Sequence, residues 1–203
     1  MRHAESNLNA DRRISGRLDV GLSPRGREDA ESLVEILRDL DIDRVVTSTL
    51  RRTYETVAPF LAAHPLACED SAALDEIDHG MLEGRYRDVR DPAAHALWQA
   101  RKRDKLGFRA PGGESLLDVR ARVLAWAAAA FPRMCGERVL IVAHRNTLRV
   151  LLGALLGMTD HAWVRLDVRH QFIYVVPPAT PQSIATVCLR GTRRGACIAG
   201  MVQ

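Results

Sequence analysis

The segment Arg138-Val139-Leu140-Ile141-Val142-Ala143 constrains the fold more than any other part of the chain, because it is apolar without alternation. A strand with one wet face alternates. An unbroken run belongs to a strand buried on both faces, as in a parallel sheet covered by helices. His144 follows at once, and Asn146 to Leu156 then has helical composition ended by Gly157. Upstream, Ser23-Pro24 reads as a cap with proline in the first turn. Ala30, Leu33, Val34, Leu37 and Leu40 recur at helical spacing, which predicts a helix over about 24–40. The β-branched run Arg44 to Ser48 predicts a strand and Leu50 to Ala63 a second helix. Ser115 can cap a long helix to about Met134. Gln171 to Val176, stopped by Pro177-Pro178, and Ile184 to Leu189 are further strand candidates, and the tail after Arg190, with Gly191, Gly195 and Gly200, is read as irregular. Helices alternating with strands define the α/β class.

A chain of 203 residues with 47% apolar content can bury one substantial core, so residues 1–203 are expected to form a single domain. Arg85, Arg87, Arg90, Arg101, Lys102, Arg103, Lys105 and Arg109 crowd the stretch from about 85 to 111, which reads as a basic surface insertion resembling a lid. Its Tyr86 and Trp98 either contact substrate or anchor the insertion. Without a module that interleaves aromatic residues with the charge, nucleic-acid binding is not expected. Lys102 and Lys105 are the only lysines; the preference for arginine suits phosphate, although base composition alone can produce it. Cys68, Cys135, Cys188 and Cys197 show no C-x-x-C spacing and no leader precedes them, so reduced thiols and a cytoplasmic location are expected. No apolar run reaches the roughly 20 residues of a membrane span, so no membrane partner is expected. No two of the seven histidines have helical i, i+4 spacing, so no metal and no cofactor are expected.

His144 stands between a buried strand and a helix, where α/β sheets place their crevice. Ser48 closes another strand, and Arg51-Arg52 opens the helix after it, where amide donors already favour an anion. Leu74-Asp75-Glu76-Ile77-Asp78-His79-Gly80 supplies carboxylates, and Arg2-His3-Ala4-Glu5-Ser6 sets an imidazole beside a guanidinium. These segments, in order, resemble the histidine phosphatase superfamily, the phosphoglycerate-mutase-like enzymes. Arg2-His3-Ala4-Glu5-Ser6 with Asn9 resembles R-H-G-x-[ST]-x-x-N, and Ser15-Gly16 with Asp19, Leu22 and Gly26 resembles the segment after it. Ser48-x-Leu50-x-Arg52 is similar to S-x-L-x-R. Leu74-x-Glu76 with Gly80 and Glu83-Gly84 is similar to L-x-E-x-x-x-G-x-x-E-G. Pro111-Gly112-Gly113-Glu114-Ser115 and Val142-Ala143-His144 with Arg149 resemble the late motifs, so the likeness runs from Arg2 to about Gly157.

The resemblance implies a three-layer α/β/α sandwich around a mostly parallel sheet, and a phosphatase needing no metal. In that reading His3 carries the phosphoryl group, Arg2, Arg52 and His144 hold its oxygens, and Glu76 is the proton donor. The motif selects Glu76; the sequence alone does not separate it from Asp78. Asn9 matches a phosphate-binding position, and Ser15 and Gly16 match substrate contacts. The partner implied is a small phosphorylated substrate, and the oligomeric state, a homodimer among the options, is open. The short stretch from Gly84 to Pro111 favours hydrolysis, since a mutase needs a longer insertion to exclude water. The alternatives are a phosphoglycerate-type mutase and a non-catalytic phospho-ligand binder. Two departures carry expectations. Only Met1 precedes Arg2, so the family's first strand is expected to be truncated. Arg145 replaces the glycine that commonly follows the second histidine, and would read a second anionic group or obstruct entry.

Overall fold

The computed structural model describes residues 1–177, 184–189 and 197–199. Most of the tail read as irregular lies outside the described residues, but Cys197–Ala199 within it is a strand. In chain order the elements are α1 (Asn7–Ala10), α2 (Pro24–Arg38), β1 (Arg44–Thr47), α3 (Arg51–Ala63), β2 (Ala67–Asp70), α4 (Pro92–Arg103) and α5 (Leu116–Ala130). They continue with β3 (Val139–Val142), α6 (Arg145–Leu155), α7 (Asp160–Trp163), β4 (Phe172–Val175), β5 (Ala185–Cys188) and β6 (Cys197–Ala199).

Strand β1 lies between β2 and β3, parallel to both, with Val45 opposite Cys68 on one side and Leu140 on the other. On the free side of β3 the chain start runs parallel. His3 N–H donates to the Ala143 carbonyl at 3.0 Å, and Ala143 N–H donates to Met1 at 3.1 Å. The expected short first strand is therefore a single bridge, Arg2 opposite Ala143, and it still fixes the backbone of His3 against the sheet. The central sheet is thus parallel as expected, and the remaining strands β4, β5 and β6 form an antiparallel sheet of their own, with Phe172 opposite Cys188 and Thr186 opposite Ile198. Too few residues lie between Val175 and Ala185 for the crossover of about a dozen that a parallel pair needs.

Side-chain alternation along the strands divides the core between two faces. Val45, Leu140 and Val142 meet Leu33 and Leu37 of α2 and Val57 and Phe60 of α3 on one face. Val46 meets Val119 and Val123 of α5 and Leu148 and Leu151 of α6 on the other. The antiparallel sheet divides in the same way, Ile173 and Val187 facing the first cluster and Phe172 and Tyr174 the second. This is the expected three-layer arrangement. Truncating Leu37, which has no exposed surface, would cost about 2–5 kcal/mol.

Helix α4 shows that the basic insertion carries its own small core. Asp91 caps it by accepting from Ala94 N–H, and Ala94, Leu97 and Trp98 pack with Ile14, Leu82 and Ala110. The Tyr86 ring meets the guanidiniums of Arg13 and Arg90, 5.6 Å and 3.9 Å from its centroid, so both aromatic residues of the insertion have packing partners within the protein. No helix among the described residues is long and apolar enough to cross a membrane.

Candidate active site

His3, Ser48 and His144 each stand at the carboxyl end of a strand or bridge, so parallel pairing delivers them to one edge of the sheet. The rings of His3 and His144 are 5.0 Å apart, centroid to centroid. His3 is buried, and its Nδ1 lies 2.6 Å from the Ala4 carbonyl. A carbonyl only accepts, so Nδ1 carries the proton and Nε2 keeps the lone pair. Burial, and then the charges of Arg52 and Arg2 and the neighbouring imidazoles, hold His3 well below the ordinary histidine pKa, which keeps the ring neutral.

His144 has no exposed surface. Its Nε2 is 2.7 Å from Ser48 Oγ, while its buried Nδ1 has no hydrogen-bond partner. Burial and the charges of Arg52 and Arg2 keep it neutral as well. Arg52, in the first turn of α3, is buried to 1% exposure and donates to the Gly16 carbonyl at 2.7 Å and the Leu18 carbonyl at 2.8 Å. These bonds pin the 16–18 loop to α3 and leave Nε buried and unpartnered. Nε of Arg2 is likewise buried without a partner, and burial lowers its guanidinium pKa to about 9. Two guanidinium donors and an imidazole nitrogen, all buried and unpartnered, are costly unless a ligand pairs with them.

Glu76 and Asp78, inseparable by sequence, have different surroundings. Asp78 is a turn residue whose carboxylate accepts from Gly80 N–H at 2.7 Å. Glu76 is 9% exposed and sits at the start of α6, accepting from Ile77 N–H at 3.0 Å and Asn146 N–H at 3.3 Å. Its charge is felt by both Arg2 and Arg52. Asp75 is committed elsewhere, accepting from Thr49.

The other expected site residues divide. The Gly16 carbonyl holds Arg52. Glycine is required there, because φ is +50° and a Cβ would fall 1.8 Å from Glu83 Oε1. Ser15 has a buried hydroxyl without a partner. Asn9 closes a capping box on α1, its side-chain oxygen accepting from Ser6 N–H. Arg145 turns to Asp167, 2.6 Å away. Among the described residues no group of three or more His, Cys, Asp or Glu side chains is arranged to hold a metal ion.

Two contributors escaped the sequence reading. His170 donates from Nδ1 to the His3 carbonyl at 2.5 Å and meets the His3 ring edge-on at 5.2 Å; burial lowers its pKa to about 3. It precedes β4 in no recognisable pattern, so only folding reveals it. Arg122 of α5 donates to the carbonyls of Ala73, Asp75 and Glu76, and Glu114 ties Arg122 to Asp78 N–H. The Glu114 motif was visible, but its connection to the Glu76 loop was not.

A protein-family profile described as "Histidine phosphatase superfamily (branch 1)" matches residues 1–182. The chain belongs to the histidine phosphatase superfamily, and with that membership comes the expected enzyme class, a phosphoric monoester hydrolase. Among curated relatives, "Probable phosphoglycerate mutase GpmB" of Klebsiella pneumoniae subsp. pneumoniae is 32% identical over 170 residues, 84% of this chain and 79% of that protein. Among solved structures, the native mycobacterial glucosyl-3-phosphoglycerate phosphatase is similar at TM-score 0.71 and 27% identity, over 91% of this chain and 86% of that one. The alpha-ribazole phosphatase from Shigella flexneri shares the fold at TM-score 0.78 and 23% identity, over 100% and 98%.

Proposed function

We propose that the protein hydrolyses a small phosphomonoester, without a metal, through a phosphohistidine on His3. The observation that carries this reading is the neutral His3 ring, its Nδ1 occupied by Ala4, in a site where Arg2 Nε, Arg52 Nε and His144 Nδ1 are buried and unpartnered. A phosphoryl group supplies the acceptors that these donors lack. Nε2 of His3 attacks phosphorus as the bond to the ester oxygen breaks, and Glu76 gives that oxygen its proton. Glu76, now a carboxylate, takes a proton from water as the water oxygen attacks phosphorus and the N–P bond breaks. Inorganic phosphate leaves, and His3 and Glu76 return to their starting states. If the Ser48 hydroxyl donates to His144 Nε2, His144 Nδ1–H is free to donate to a phosphoryl oxygen; charge developing in the transition state is then met by donors already in place.

The mutase reading draws on the likeness to probable phosphoglycerate mutases. A panel of phosphomonoesters, assayed with wild type and His3→Ala, separates the two. Steady phosphate release without an isomerised ester, reduced roughly 10³-fold or more in the variant, supports hydrolysis. An isomer formed faster than phosphate supports the mutase.

A further inference from the structure

An open cleft of about 350 Å³ adjoins the phosphate site, lined by Arg2, Glu5, Arg145, Asp167, Arg169 and His170 among others. Asp167 stands between two arginines: Oδ1 accepts from Arg145 at 2.6 Å and Oδ2 accepts from Arg169 Nε at 2.6 Å. All three side chains are about two-fifths exposed, so solvent reaches the network. Its charge does not balance. Asp167 serves two guanidiniums, and with Arg2 and Glu5 on the same cleft three arginines face two carboxylates; Arg145 is also close enough to be felt by Arg149 and Arg101. Arg145 Nε is buried without a partner. The cleft also begins at the reacting ring, since His170 lies edge-on to His3. A leaving group attached to phosphorus at His3 would extend along this wall. Arginine at 145 stands where glycine is the common residue of the superfamily motif that this segment resembles.

We propose that this cleft reads a carboxylate on the leaving group of the substrate, and that Asp167 holds its place on Arg145 and Arg169 until the substrate carboxylate displaces it. The inference rests on the phosphatase reading and narrows its substrate class to phosphomonoesters bearing a carboxylate within reach of the cleft. A carboxylate is the group favoured because a carboxylate already bridges the pair, and the planar fork of arginine matches it. Asp167 then acts as an internal competitor. It lowers affinity for the substrate carboxylate while keeping two neighbouring cations from repelling each other in the empty cleft.

The competitor role has a sign that a purely structural role lacks. Glycerol 3-phosphate and 3-phosphoglycerate differ by a hydroxymethyl in place of a carboxylate, and their kcat/KM ratio isolates the cleft. Arg145→Gln is expected to lower the ratio of carboxylated to uncarboxylated ester at least tenfold. Asp167→Asn is expected to raise it several-fold, a direction that loss of folding cannot produce. The same ratio taken from dissociation constants of the two esters on His3→Ala protein should move in parallel. A ratio unchanged in both variants, or lowered by Asp167→Asn, overturns the cleft assignment even where phosphate is released. A binding ratio that shifts as expected while wild type releases no phosphate supports the cleft and overturns the phosphatase reading.

Discussion

The imidazole of His3 donates through Nδ1 to the Ala4 carbonyl, so an electrophile reaching the ring meets Nε2, and burial beside Arg52 keeps that nitrogen unprotonated. Glu76 is placed by two backbone amides, Ile77 N–H in its own loop and Asn146 N–H at the start of α6, within the field of Arg2 and Arg52. A proton donor matters in proportion to how poorly the leaving oxygen departs by itself. Glu76→Gln is therefore expected to reduce phosphate release from an alkyl phosphate by roughly 10²–10⁴-fold, the usual range for general acid catalysis, and release from p-nitrophenyl phosphate far less. Equal losses on the two esters in steady-state assays would remove the assigned role. At this scale the motifs pointed to His3, His144, Arg52 and Arg2, which the fold brings together. They could not foretell His170, which a histidine in Val168-Arg169-His170-Gln171 does not advertise, and without the motif the carboxylates of Glu76 and Asp78 could not be told apart. Folding distinguishes them through the Asn146 amide of α6, which reaches Glu76 and which sequence spacing does not reveal.

Elements matter here through what they hold rigid. Helix α5 sends Arg122 beneath the Glu76 loop, where it donates to three successive parts of the loop backbone. Arg122 touches no reacting atom and acts as a positioning residue. Arg122→Lys keeps the charge but loses the fork of donors. It is expected to lower kcat roughly tenfold or more with KM little changed, and to spare p-nitrophenyl phosphate as Glu76→Gln does. A change confined to KM would contradict the positioning role. The elements that sequence foretold, α2, α3, α5, α6, β1, β3, β4 and β5, all carry a full apolar face or a buried run. Strand β2 was missed because Ala67–Asp70 is an edge strand, exposed along most of its length. Helix α4 was hidden by its charge, although Asp91-Pro92 followed by Ala94, Leu97 and Trp98 was a readable start. The antiparallel β4–β5–β6 sheet follows from connection length, which a strand-by-strand reading ignores.

For the whole molecule, the site is assembled from segments separated by most of the chain, and its assembly couples folding to pH. His79 and His170 are buried with pKa values lowered to about 3, and His3 and His144 also lie well below the ordinary value near 6.5. Between about pH 3 and 6.5 the unfolded chain binds more protons than the folded one, so stability rises with pH across that window and is lost as pH falls through it. Each such histidine adds a slope of about 1.4 kcal/mol per pH unit. Urea midpoints are expected to fall steadily from pH 7 to pH 5, and His79→Gln should flatten the slope; midpoints independent of pH would contradict the burial of neutral imidazoles.

The central claim is that His3 Nε2 carries the phosphoryl group between its two transfers. Rapid acid-free quenching of the enzyme during turnover of a ³²P-labelled phosphomonoester, followed by peptide mapping, measures this directly. The label is expected on the peptide containing His3, linked at Nε2 and absent from His3→Ala protein. Turnover with the label never on His3, or found on His144 instead, would contradict the account.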